Sequence, residues 1–112
     1  MNWLLSFFID RTFGVSRASG WSNFRKTYIK KNPFCAVCGT RGTLLKPNEA
    51  HHILPVSFDI ERKYELDYSN LITLCESKGC HLRFGHLYDF KSANLDIVND
   101  AKVWREKIRT RP

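Results

Sequence analysis

No internal repeat, low-complexity tract or proline-rich linker divides this sequence, and its 112 residues allow one small domain with a modest core. No apolar run reaches the roughly 20 residues that a membrane-spanning helix requires. The nearest candidate, the opening MNWLLSFFID, ends in charge at Asp10 and Arg11, and it lacks the basic leading segment and small-residue cleavage site of a secretory signal. It reads as a docking helix; a peripheral membrane or dimer contact is the alternative, including use of WLLSFF as the anchor of a toxin-like effector. Acidic residues are few, 11 Asp and Glu against 18 Lys and Arg, for a net charge of +7. Such an excess favours a polyanionic partner, because each neutralised phosphate releases condensed counterions. A solvated basic surface would give the same count, so the charge needs support from motifs.

Four cysteines are present, as Cys35-x-x-Cys38 and Cys75-x4-Cys80. In a secreted chain they would suggest two disulfides. Without a secretory signal they point instead to a reducing, cytoplasmic compartment and to metal thiolates, and four thiolates suit the tetrahedral preference of structural zinc. Gly39 and Gly42 follow the first pair and permit a tight knuckle. Gly79 lets the wider second pair, with ESKG inserted, close in the same way. A closed four-thiolate site has no open position for substrate, so this zinc is expected to be structural. Four free buried cysteines are the alternative.

GWSNFRKTYIKKNPF predicts a short basic helix with Ser22 as cap, Phe24, Tyr28 and Ile29 at helical spacing and Pro33 as stop. Its exposed side carries Arg25, Lys26, Lys30 and Lys31. EAHHILPV and LITLCE read as short antiparallel strands, the first ended or placed at an edge by Pro55. The long connection between them, SFDIERKYELDYSN, is of a length that is usually functional or closed by its own contacts. GCHLRFGHL allows a turn or two of helix. NLDIVNDAKVWREKIRTRP predicts a longer one, capped by Asn99 or Asp100, with Ala101, Trp104 and Ile108 on one stripe.

Every histidine of the chain, His51, His52, His81 and His86, lies among or just beyond the cysteine pairs, together with Asn70. A lone histidine is usually a satisfied core or surface residue, but four interleaved with a zinc cage raise the prospect of a second metal site. Because neighbours on a strand point to opposite faces, one of His51 and His52 can face a short helix bearing His81 and His86 while the other faces outward. One imidazole then serves as a ligand with His81, and its neighbour is left to act as a base.

HHILP, the NL step at Asn70-Leu71 and CH at Cys80-His81 resemble the motif of the HNH endonucleases, over roughly residues 33 to 87 and including the flanking cysteine pairs. The resemblance implies an α+β fold: a ββα-metal (His-Me finger) core with a zinc knuckle over 33–87, a helical N-terminal extension over 1–32 and a C-terminal helical tail over 88–112, in a single domain. It implies His51 and His81 as ligands of a catalytic divalent cation and His52 as general base. Asn70 would brace the site by hydrogen bonds. His86 is a further ligand candidate, although five residues from His81 exceed one α-helical turn. Arg83 is a candidate for contact with the scissile phosphate. The pair begins with His51 where many members have Asp, and Asn70 stands eleven residues before His81, a spacing stretched by ESKG.

The expected activity is metal-dependent hydrolysis of DNA phosphodiester bonds, nicking or cutting both strands, with low sequence specificity since no base-reading module is recognisable. Imidazole ligands favour Mn2+, Ni2+, Co2+ or Zn2+ over Mg2+. The structural Zn2+ and the catalytic cation are the expected cofactors, with no small-molecule cofactor. DNA is the expected partner, the chain a monomer or weak homodimer, and phage packaging proteins further partners by resemblance, in which case the compartment is the host cytoplasm. The competing reading is a non-catalytic zinc-ribbon module that grips nucleic acid without cutting it.

Overall fold

The computed structural model describes residues 17–89 and 92–111. The opening apolar segment and Pro112 lie outside the described residues, and so does the docking helix expected there.

Helix α1 runs from Trp21 to Lys31. It begins before the expected cap Ser22, after Gly20 in a left-handed conformation (φ 86°), and has no side-chain cap. The earlier start lets Trp21 join Phe24 and Tyr28 on one face, at the i, i+3, i+7 spacing of a helical stripe. Phe24 and Tyr28 pack on Tyr68, with ring centroids 4.5 and 5.6 Å apart. The Tyr28 hydroxyl donates to the Leu71 carbonyl at 2.9 Å, fixing the helix to the sheet. Ile29 turns instead into a groove on the other side of the helix. Asn32 closes the last turn on the Tyr28 carbonyl, ahead of Pro33.

The sheet consists of strand β1 (Glu49–His52) and strand β2 (Leu71–Leu74), antiparallel, with Ala50 opposite Thr73, His51 opposite Ile72 and His52 opposite Leu71. Both strands are shorter than their apolar runs. Beyond His52 the chain makes one more backbone–backbone bond, from the Ile53 amide to the Asn70 carbonyl, before Pro55, which has no amide hydrogen to continue the ladder. The long connection is closed by its own contacts: Asp59 accepts from the Lys63 and Tyr64 amides, and Asp67 from the Ser69 amide.

After β2 the second cysteine pair leads into a π-helical turn, His81–Gly85, and the chain ends in helix α2 (Ile97–Arg109). α2 starts two residues before Asn99, after Asp96, because Ile97 is itself buried in the core. Ile97 and Ala101 face inward, Trp104 packs on Phe84 with centroids 5.6 Å apart, and Ile108 is exposed. Buried Asn94 donates to the Phe84 carbonyl and to Asp100, which ties α2 to the π-turn. The main core is built around the cysteines: Cys35, Cys75 and Cys80 are buried with Val37, Leu74, Ile97 and Ala101. Helices and a two-stranded antiparallel sheet make this an α+β fold, as expected from the sequence.

Candidate active site

The four cysteine sulfurs lie within 4.8 Å of one another, and Cys38 and Cys75 approach to 3.5 Å. A tetrahedral site with Zn–S of about 2.3 Å places its sulfurs about 3.8 Å apart, so the cage has the right size. Both knuckles use left-handed glycines: Gly39 (φ 79°) donates to the Cys35 carbonyl, and Gly79 (φ 78°) to the Glu76 carbonyl. A hydrogen bond from Cys80 pulls the Cys35 thiol down to about 4, and that same contact drives Cys80 up. Burial raises Cys75. Sulfurs this close cannot all ionise by themselves, and a bound cation removes that conflict. The donor set fits zinc.

The second cluster joins both strands' flanks. His51, at the end of β1, and His81 and His86, at the two ends of the π-turn, bring one ring nitrogen each within 4.8 Å of the others. His81 Nε2 stands 3.2 Å from His51 Nδ1 and 3.1 Å from His86 Nε2. The π-turn explains how His86 reaches the cluster. Its amide donates to the His81 carbonyl across five residues, so the wider turn returns to the same side where an α-helical turn would not.

The outer nitrogens fix the inner ones. His86 Nδ1 donates to the Ser92 carbonyl at 2.8 Å, and His81 Nδ1 is held by the Glu76 carboxylate. Carbonyl and carboxylate oxygens only accept here, so Nε2 of each ring presents a lone pair toward the other. Nitrogens this close, at 3.1 Å, share either a proton or a cation between them. Carboxylate and carbonyl partners behind ligating imidazoles are the usual support of a metal site. Burial, followed by the neighbouring histidines, pushes His51 down to about 2, and burial also lowers His86. Both therefore stay neutral, the form that ligates a metal.

His52 occupies the opposite face of β1, but it does not face outward as expected. It is only 7% exposed, against 6% for His51, because Trp21 of α1 stacks on its ring, with centroids 4.5 Å apart and planes at 26°. Its Nε2 donates to the Glu65 carbonyl at 3.0 Å, which leaves Nδ1 as the basic nitrogen. The Glu65 side chain, 1% exposed, accepts from the Ala18 amide and from Arg62. Asn70 pins the chain after β1: its Oδ1 accepts from the Leu54 amide at 2.8 Å, and its Nδ2 donates to the Leu54 and Tyr64 carbonyls. Tyr64 adjoins Glu65, so Asn70 and His52 are held by one loop.

A cleft of about 430 Å³ opens over these groups, lined by His51, His52, His81 and His86 and, from α1 and the residue run before it, by Arg17 and Arg25. Arg83 is not brought there. Its guanidinium lies over the Tyr88 ring, 5.9 Å from the centroid, and Arg83 does not line the cleft. Sequence reasoning missed Trp21, Glu76 and Arg17. Glu76 had a signal, a carboxylate inside the ESKG insertion; Trp21 and Arg17 had none, since their roles depend on where α1 docks.

Residues 35–86, holding both clusters and the hairpin, match the model of the HNH endonuclease family. This stretch, 52 of the 112 residues, is similar to HNH endonuclease domains. The matched HNH segment starts at Cys35, the first cysteine of the cage, and ends at His86, the last histidine of the cluster. α1 and its Trp21 and Arg25 therefore stand outside the HNH match while lining its cleft. No curated protein and no solved structure matches the chain.

Proposed function

We propose that this protein is a metal-dependent endonuclease that hydrolyses DNA phosphodiester bonds with low sequence specificity, by nicking, double-strand cleavage or both. The observation that carries this reading is the division of labour between adjacent histidines. His51 joins two more imidazoles whose lone pairs converge, while His52 keeps a hydrogen-bonded tautomer with Nδ1 available as a base. A zinc-ribbon module that only binds needs no such second histidine.

In this reading Cys35, Cys38, Cys75 and Cys80 hold a structural zinc, and His51, His81 and His86 hold a divalent cation in the cleft. When bound, that cation supplies Lewis-acid stabilisation of charge on the phosphate and on the leaving 3′-oxygen. His52 Nδ1 takes the proton of the attacking water as the new O–P bond forms, and the departing oxygen is protonated by solvent. The Glu65 carbonyl stabilises the imidazolium and keeps its ring in place. Asn70, by fixing Leu54 and Tyr64, positions the loop that carries this carbonyl. The phosphate contact expected of Arg83 falls to Arg17 and Arg25, which line the cleft. We place the activity in the cytoplasm, the compartment where four unpaired thiols persist as metal ligands. Among the described residues no helix is long and apolar enough to cross a membrane.

Plasmid nicking with added divalent cations tests the assignment. His52→Ala is expected to cut about 10²- to 10⁴-fold more slowly while still binding a second metal, as for loss of a general base. His51→Ala loses metal and cleavage together. Mn2+ or Ni2+ should support more cleavage than Mg2+, which prefers oxygen ligands. Equal cutting by wild type and His52→Ala would overturn the mechanism, and absence of cutting with any cation would favour the non-catalytic zinc-ribbon reading.

A further inference from the structure

A second groove, about 830 Å³, runs along the far side of α1, between that helix and the loop that follows the first cysteine knuckle. Arg25, Lys26 and Lys30 line it from the helix, and Arg41 from the loop; no carboxylate lines it among the described residues. Arg25 also lines the catalytic cleft, so the two depressions share a wall and form one basic path. The groove is built rather than incidental. Asn48, buried at its floor, donates to the Pro33 and Thr40 carbonyls, joining the end of α1 to the knuckle. At Gly42 a Cβ would come within 2.4 Å of the Asn48 amide, so the loop can close only on glycine. The turn at its rim is held by the Thr43 amide on the Lys46 carbonyl and the Lys46 amide on the Thr43 hydroxyl, and it presents Leu44 fully to solvent.

We propose that this groove is a second DNA-backbone subsite, which takes the duplex phosphates leading away from the bond cut in the cleft. The inference rests on the nuclease reading, since it concerns the same substrate, but it is tested by binding and not by cleavage. Four cations with no lining carboxylate attract phosphates, and their contact is sequence-independent, in keeping with low specificity. The apolar walls, Pro33, Pro47 and Leu44, suit the sugar edges between phosphates. α1 thus serves both depressions, with Trp21 and Arg25 toward the cleft and Lys26 and Lys30 toward the groove.

The test measures fluorescence anisotropy of labelled duplexes against the zinc-loaded full chain carrying His52→Ala, alone and with Lys26→Ala, Lys30→Ala and Arg41→Ala combined. A control carries Lys102→Ala, Lys107→Ala and Arg109→Ala on α2, which removes the same charge elsewhere. Zinc content and far-UV circular dichroism check that each variant folds. On a duplex of about 20 base pairs the groove variant should lower the slope of log affinity against log salt by about 3, at about 0.9 per lost phosphate contact. On a duplex of about 6 base pairs, too short to leave the cleft, it should bind like its parent. Unchanged binding to the long duplex overturns the proposal, and so does an equal loss in the α2 control or an equal loss on both lengths. Any of these results leaves the cleavage assay free to support or reject the nuclease itself.

Discussion

Individual side chains in the cleft are set by partners one shell further out. Glu76 holds His81 Nδ1 and so turns the ring's lone pair toward His51 and His86. Replacing it by Gln keeps the shape but weakens the acceptor, and carboxylates in this position typically contribute 10- to 100-fold to metal affinity. Glu76→Gln is therefore expected to weaken the second metal by about that factor in calorimetric titration while leaving the cysteine-bound zinc untouched. Glu65 supports His52 in a different way, through its backbone, and needs its side chain anchored. Burial favours its neutral form, but the Ala18 amide and Arg62 outweigh it and hold the carboxyl below its ordinary value. A folded-state value below the unfolded one means that this stabilisation is present at neutral pH and disappears as pH falls through the carboxylate range. Glu65→Gln should cost about 1–3 kcal/mol at about pH 7, and thermal melts should find the gap to wild type shrinking toward about pH 4. A gap that does not change with pH would mean that the charge on Glu65 is not what anchors the loop.

Elements decide which side chains can meet. In an α-helical turn His86 would rotate away from His81; the π-turn adds the residue needed to bring it back, and five-residue spacing in sequence puts both imidazoles on one face. The turn also crosses β1 closely. A Cβ on Gly85 would sit 3.0 Å from Leu74 Cδ1 and 3.1 Å from His51 Cε1. Gly85→Ala should push the His51 ring by a few tenths of an ångström, weaken the second metal and slow cleavage, with titration of that metal as the measurement. Wild-type metal affinity in this variant would mean that the π-turn is free to move away from β1. The strands and both helices were readable from apolar spacing and from Pro33 and Pro55. Their ends were less so: α1 starts at Trp21 and α2 at Ile97 because each opens on a residue that packs inward, and local capping signals at Ser22, Asn99 and Asp100 are weaker than that packing.

For the whole molecule, the four-cysteine cage stands in for a larger core, and the zinc proposed for it would tie that core together. Three of the four cysteines are buried among the main apolar cluster, and the cage joins the segment before β1 to the segment after β2. A site that forms only in the folded chain adds its binding energy to folding. Treatment with a strong chelator, or Cys75→Ser, is expected to abolish the cooperative thermal transition, followed by circular dichroism. A chelated protein that melts like the untreated one would mean that the apolar core suffices by itself.

What the sequence determined alone is the inventory and its pairing: two Cys pairs, four histidines among and beyond them, and strand alternation that sends His51 and His52 to opposite faces whatever surrounds them. These are local properties, fixed by residue type and by the geometry of one extended strand. Tertiary structure decided what each face meets. His52 is roofed by Trp21, 31 residues earlier in the chain, its tautomer is chosen by the Glu65 carbonyl in the long loop, and Arg83 is turned onto Tyr88 and does not line the cleft. Such contacts depend on how separate segments dock, and docking is settled by packing over the whole fold, which no spacing within a single segment encodes.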